Sequence, residues 1–143
     1  MINVTNKVLK AWHELLSGNL SVPVYRLDAP ISEDGNYVLL RVESDTDVPN
    51  NHKWVSTPVI ISEVVTRFAT ITDDSIAGDI DSEIAELLYD SPSQHNLPSQ
   101  DGIQIVAVKR RDQTYLPEDD GSNRYLRLIV RNVHRVEQLI EQS

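Results

Sequence analysis

Thr57-Pro58-Val59-Ile60-Ile61-Ser62-Glu63-Val64-Val65-Thr66-Arg67-Phe68-Ala69 is the stretch that decides the fold. Its apolar residues, Val59, Ile60, Ile61, Val64, Val65 and Phe68, are mostly β-branched and fall on both sides of a period-two pattern. That composition belongs to a central strand with both faces at least partly covered. Tyr37-Val38-Leu39-Leu40-Arg41-Val42 has the same character and follows the turn signals Pro30 and Asp34-Gly35. Tyr125 to Val133 reads as another strand, with Leu126, Leu128 and Val130 facing one way and Arg127 and Arg131 the other. Ile103 to Val108 adds one more. Val22 to Arg26, held open by Pro23, suits an edge or a strand start.

Two amphipathic helices complete the set. Val4 to Leu16 places Val4, Val8, Ala11, Trp12, Leu15 and Leu16 on one face. Asn3 or Thr5 can cap its start, and Gly18 can end it. Thr72 or Asp73 caps a second helix to about Tyr89, with Ile76, Ile80, Ile84, Leu87 and Leu88 as its stripe. Glu43 to Lys53 reads as an exposed loop at the tip of a long hairpin. Ser91 to Gly102 is a Pro- and Ser-rich loop, and Arg110 to Ser122 is a polar connection. Val136 to Ser143 is a short tail with helical character. The order predicts an α+β domain over residues 1–143: a mixed, mostly antiparallel sheet of four to five strands with two helices on one face.

Composition narrows the function. A chain of 143 residues can bury a real core as one domain. The absence of cysteine removes disulfides, thiolate zinc sites and thiol nucleophiles. The N-terminus lacks an apolar signal core, and no stretch approaches the roughly 20 apolar residues of a membrane span. The chain is therefore expected to be soluble, not exported, and without membrane contact. A net charge of −9 disfavours nucleic-acid coating, which draws its affinity from cations on phosphates. Negative walls do suit a path along which DNA slides without adhering.

Catalytic patterns are missing. The five glycines are isolated and form no phosphate loop, and no nucleophile elbow occurs. His13, His52, His95 and His134 lie in no ligand spacing. Asp45-Thr46-Asp47 and Glu118 to Asn123 are acidic but read as a solvated loop and a hairpin turn. No cofactor, metal or catalytic residue is expected. An enzyme using Asp45, Asp47 and His52, or a generic adaptor, are the competing classes.

Charge layout is more informative. Asp73 to Asp90 holds seven acids and no base, and Asp79, Glu83, Glu86 and Asp90 form one helical stripe. Seven of the 13 Lys and Arg residues fall between Lys109 and Arg135, Arg124, Arg127 and Arg131 among them. One reading is a solvated face or pairing within a subunit. The other is head-to-tail complementarity, the acidic helix of one copy meeting the basic strands of the next, which closes a ring when the rotation is right. Trp12 belongs to the core. Trp54 anchors the hairpin base or contacts a partner.

Taken together, several segments resemble the tail terminator, or tail-completion, proteins of long-tailed bacteriophages and prophages. They are Lys7-Val8-Leu9-Lys10-Ala11-Trp12, Val24-Tyr25, Asn36 to Leu40, Pro58 to Thr66, Ile80 to Leu88 and Asp120 to Val130. The resemblance spans roughly residues 4 to 136 in element order and apolar positions, without a sharp motif. It implies a non-enzymatic α+β subunit of a hexameric ring. That ring caps the finished tail tube and stops its polymerisation. It also docks the head connector and passes DNA through its lumen. The loop that holds Asp45, Asp47, His52 and Lys53 beside Trp54 is expected to become ordered on contact with tube or connector subunits. Head–tail joining or stopper proteins share the size and acidity. The resemblance carries over no catalytic residue, and the Ser91 to Asp101 and Arg110 to Asp120 stretches depart from it.

Overall fold

The computed structural model describes residues 3–27, 29, 35–44, 47–49, 54–68, 75–119 and 124–139. In chain order the elements are α1 (Val4–Leu16), β1 (Val24–Arg26), β2 (Tyr37–Ser44), β3 (Asp47–Pro49), β4 (Trp54–Ser56), β5 (Val59–Phe68), α2 (Ser75–Leu88), β6 (Tyr89–Ser91), β7 (Gln94–His95), β8 (Ile103–Asp119) and β9 (Arg124–Gln138). The α+β expectation holds: all ladders of the seven-stranded main sheet are antiparallel except β1 with β2. Both helices pack on one face.

The seven strands reduce to four long lines plus short β1. Ser44 pairs with Val59 and Asp47 with Ser56, so the register advances three residues on each strand from β2 to β3 and from β5 to β4. On the other side of the β4–β5 line, Val55 faces Glu137, Ser56 faces Val136 and Val59 faces Val133, again without a slip. Pro58 interrupts this line because it has no N–H to give. Its carbonyl accepts the His134 backbone N–H at 3.1 Å. β9 is the spine, flanked by β5 and β4 on one side and by β8 along the other.

Four segments differ from the sequence reading. The reach from Glu43 is not all loop, since the hairpin ladder runs on to the Pro49–Trp54 pair. Arg110 to Asp119 is strand rather than polar connection, and β9 runs through Val136 to Gln138 where a helical tail was expected. β6 and β7 form a small ladder at the start of the Pro- and Ser-rich stretch. The reason is shared. Edge and terminal strands draw their hydrogen bonds from a neighbour and need no apolar alternation of their own. Thr72 and Asp73, expected as caps, and Asp120 to Asn123 lie outside the described residues.

α1 starts where the sequence places it, with the Asn3 side chain accepting the Asn6 N–H at 3.1 Å. It ends at Gly18, whose φ of +80° suits a residue without Cβ. Val4, Val8, Ala11, Trp12 and Leu16 meet Val38, Leu40, Ile60, Val64, Leu126, Leu128 and Val130 of the sheet. Ala77, Ile80, Ile84 and Leu88 bring in α2. Each fully buried aliphatic side chain contributes about 1.5–3 kcal/mol. Ile76, placed in the α2 stripe from the sequence, is instead 43% exposed, and Ala77 takes the inward position.

Two polar devices lie within this core. Trp12 Nε1–H donates to His134 Nε2 at 2.7 Å, and His134 Nδ1 then donates to the Pro58 carbonyl at 2.9 Å. Burial drives the His134 pKa down to about 4. Asp81, on the inward side of α2, is ion-paired with Arg110 of β8.

Candidate subunit interface

The sheet face away from the helices carries the basic strands. Odd-numbered residues of β9 point there, and so do those of β2 and β5. A small apolar cluster of Tyr37, Leu39 and Val65, flanked by Tyr25, Ala29 and Tyr125, covers one end. Tyr25 and Tyr37 meet edge to face, with centroids 5.8 Å apart. Arg67 lies over the Tyr125 ring at 5.2 Å, within cation–π reach.

Beyond that cluster the face is a lattice of ion pairs that crosses all four long lines. Glu63 of β5 is its hub and is 4% exposed. It accepts from Arg127 Nη1 at 3.1 Å and lies 3.5 Å from Arg41 Nε. Arg127 Nε donates in turn to Glu118 of β8 at 2.9 Å. Burial alone would lower the Arg127 pKa, but Glu118 and Glu63 outweigh it and hold the guanidinium charged. Arg131 Nε sits 2.8 Å from Glu43, and its Nη1 is 3.8 Å from Asp112. Arg41, Glu43, Ile61, Asp112, Thr114, Ile129 and Arg131 line a shallow open depression of about 430 Å³. Its charges are paired across it within the subunit.

α2 presents its acids on the other side of the layer. Glu83 accepts from the Ser21 backbone N–H at 3.2 Å and from its hydroxyl at 2.8 Å. Asp90 accepts from the Asn96 amide at 3.1 Å. Asp79 and Glu86 are exposed and have no partner among the described residues. Asp81 sits about 200° round the helix from Asp79, so the stripe looks away from β8. The structure thus does not join the acidic stripe to Arg124, Arg127 or Arg131 within one subunit. Arg127 and Arg131 pair with Glu63, Glu118, Glu43 and Asp112 instead, while Arg124 is exposed on β9. Lys109 and Arg111 are exposed on β8 and unpaired among the described residues.

Of the loop residues singled out from the sequence, Asp47 lies in β3 and Trp54 in β4, as part of the described hairpin end. Asp45, His52 and Lys53 lie outside the described residues. No group of three His, Asp or Glu side chains that could hold a metal occurs among the described residues. No described helix is long and apolar enough to cross a membrane.

No family model and no curated protein matches the chain. Solved structures do. One is a chain in the virion of the native gene transfer agent particle. It matches with a TM-score of 0.60 and 16% identity over 92% of this chain and 94% of that one. This chain shares its fold. A second solved structure matches over 99% of this chain and 100% of that one, with a TM-score of 0.52 and 14% identity. At these identities the shared property is the fold, and it extends over nearly the full length of each pair.

Sequence reasoning missed Glu63 as a hub, although its signal was present: one acid inside the apolar run of β5, opposite strands rich in arginine. It also missed Asp81, an acid set between Ile80 and Ile84.

Proposed function

We propose that this chain is a structural, non-enzymatic subunit of a phage-like virion. In this reading it caps the finished tail tube, ends tube polymerisation and joins the tail to the head connector. The carrying observation is the end-to-end correspondence with a chain of the gene transfer agent virion, matched over 92% of this chain and 94% of that one. Lys109 and Arg111 on β8 and Asp79 and Glu86 on α2, exposed and unpaired among the described residues, support it as charges left over for a second copy. The subunits form a ring, six in the resembling family, located in the tail or neck of the virion and assembled in the host cytoplasm. DNA passes through the lumen without specific binding, and no cofactor or membrane takes part.

Electron microscopy of the purified protein mixed with tail tubes tests this reading. Rings seated on one tube end, with tube growth arrested, are the expected result. Protein that ignores tubes but binds the head connector would replace it with a stopper role. Binding to neither would remove the virion reading.

Within the ring, the acidic stripe of one copy faces cationic strands of the next. Asp79 and Glu86 test this contact cleanly, because Glu83 and Asp90 also hold Ser21 and Asn96. Asp79→Lys with Glu86→Lys is expected to weaken self-association at low ionic strength and to change little at high salt. Sedimentation velocity reads the effect; equal association of variant and wild type at low salt would dismiss the contact.

A further inference from the structure

We infer that the outer edge of β8 from Arg110 to Asp119 is a main-chain docking edge, and that its occupant is the same edge of a second copy, run antiparallel across a two-fold axis at Tyr115. The pairing describes the free protein. It does not rest on the ring reading, because a two-fold contact closes on itself and adds no third copy.

β8 is 17 residues long, and among the described residues its only strand partner is β9. The direction of its main-chain groups follows from β9. The His134 N–H goes to the Pro58 carbonyl, away from β8. Even-numbered residues of β9 therefore turn their main chain toward β4 and β5, and odd-numbered ones toward β8. The β8 residues opposite the even ones direct their N–H and C=O outward. Ile105 and Val108 are among them, and their carbonyls are taken: His95 Nε2 donates to the first at 2.7 Å and the Tyr89 hydroxyl to the second at 3.1 Å. Arg110, Gln113, Tyr115, Pro117 and Asp119 follow, and no strand covers them among the described residues. Pro117 fits this alternation, since it lacks an N–H where none is owed to β9. What remains is a row of backbone groups that forms a template for pairing.

The open stretch is symmetric about Tyr115. Arg110 lies opposite Asn132 of β9, Tyr115 opposite Leu128 and Asp119 opposite Arg124, so the ladder is equally long on either side of Tyr115. An antiparallel copy centred there sets Tyr115 against Tyr115, Gln113 against Pro117 and Arg110 against Asp119, all of them outward residues. Only the Gln113 carbonyl is left without a donor, because Pro117 has no N–H. Centring on Thr114 instead would call on Val108, whose carbonyl Tyr89 already holds. Charge reverses along the strand in the same sense: Lys109, Arg110 and Arg111 precede the centre, and Glu118 and Asp119 follow it. Arg111 and Asp112 share one ladder position at the second register slip and come opposite Glu118. Asp112 is turned to Arg131, while Arg111 is exposed and unpaired among the described residues, free to meet the half-exposed Glu118. Tyr115 and Leu116, 43% and 42% exposed, lie on opposite faces of β8. Both gain cover in the dimer, Tyr115 from its symmetry mate and Leu116 from Thr114.

Because the chain has no native cysteine, the axis can be tested directly. Hydrogen-bonded residue pairs of antiparallel strands have Cα atoms about 5.5 Å apart, within disulfide reach. Under a mild oxidant, Tyr115→Cys is expected to form a covalent dimer and nothing larger. Thr114→Cys alone is expected to form none, since Leu116 stands across the axis from it, and Thr114→Cys with Leu116→Cys is expected to restore the dimer. Sedimentation equilibrium of the wild-type chain is expected to show a monomer–dimer equilibrium. Tyr115→Glu, a change at an exposed position that sets two carboxylates against each other on the axis, is expected to weaken the dimer about tenfold or more. A wild-type chain that stays monomeric, with Tyr115→Cys that does not cross-link, overturns the pairing. So does equal cross-linking of Thr114→Cys and Tyr115→Cys, which marks random collision, and so does a dimer that Tyr115→Glu leaves unchanged. None of these outcomes bears on rings at the end of tail tubes.

Discussion

Replacing Asp81 with alanine is expected to lower the stability of the fold by about 3 kcal/mol and its Tm on the order of 10 °C. Asp81 is the one acid on the inward side of α2, where its side chain is 8% exposed. Its partner Arg110 is also largely buried, and the Arg110 Nε has no hydrogen-bond partner. Removing the carboxylate leaves a guanidinium that cannot shed its proton in a site with little water to solvate it. That uncompensated charge, rather than the lost attraction, is the larger cost. The contact is also mechanical. It ties the outer helix to the edge strand at the second register slip of β8, just before the straight segment Gln113 to Asp119. Urea denaturation measures the change. The double variant Asp81→Leu with Arg110→Met, which removes both charges, is expected to recover most of the loss. A single variant within about 0.5 kcal/mol of wild type would show that the pair is solvated and does not anchor α2.

Legibility in the sequence followed burial. Residues covered on one side, such as Val4 to Leu16 and Leu126 to Val130, announce their element through periodicity, because only a fixed period keeps apolar groups on one face. β5 is covered on both faces for part of its length and was legible through its β-branched composition. Lys109-Arg110-Arg111-Asp112-Gln113-Thr114 gave no such signal, because its side chains are polar on both faces and the one that is covered, Arg110, is held by an ion pair with Asp81 rather than by apolar packing. The ladder to β9 makes it a strand, and that ladder is a tertiary fact. The interface residues split in the same way. The stripe of Asp79, Glu83, Glu86 and Asp90 follows from helix geometry alone. The pairing of Arg127 with Glu63 joins residues 64 apart in sequence and depends on the strand order β2–β5–β9–β8. Without that order, internal neutralisation of the arginines and their use by a second copy look the same.

The core histidine makes stability depend on pH within a definite window. In the unfolded chain His134 titrates near 6.5, and in the fold its pKa is lowered to about 4. Above pH 6.5 the ring is neutral in both states and contributes no slope. As pH falls from 6.5 toward 4 the unfolded state takes up a proton that the folded state refuses, so unfolding gains ground steadily. Below pH 4 both states are protonated and the effect levels off. The full span is worth about 3 kcal/mol at most. The geometry explains the refusal. Nε2 is engaged as an acceptor by the Trp12 N–H, and a proton placed there would meet that donor head-on in a site sealed by α1. Carboxylates also titrate in this range, so the comparison must be with a variant that shares them. His134→Gln can still accept from Trp12 through its side-chain oxygen and has no ionisable ring. It is expected to be less stable than wild type at pH 7.5 and to close the gap as pH falls to 4.5. Parallel stability curves across that interval, from urea denaturation, would mean that His134 is solvated well enough to be protonated in place. The Trp12–His134–Pro58 chain would then not be the dry contact between α1 and the β9 spine that the structure describes.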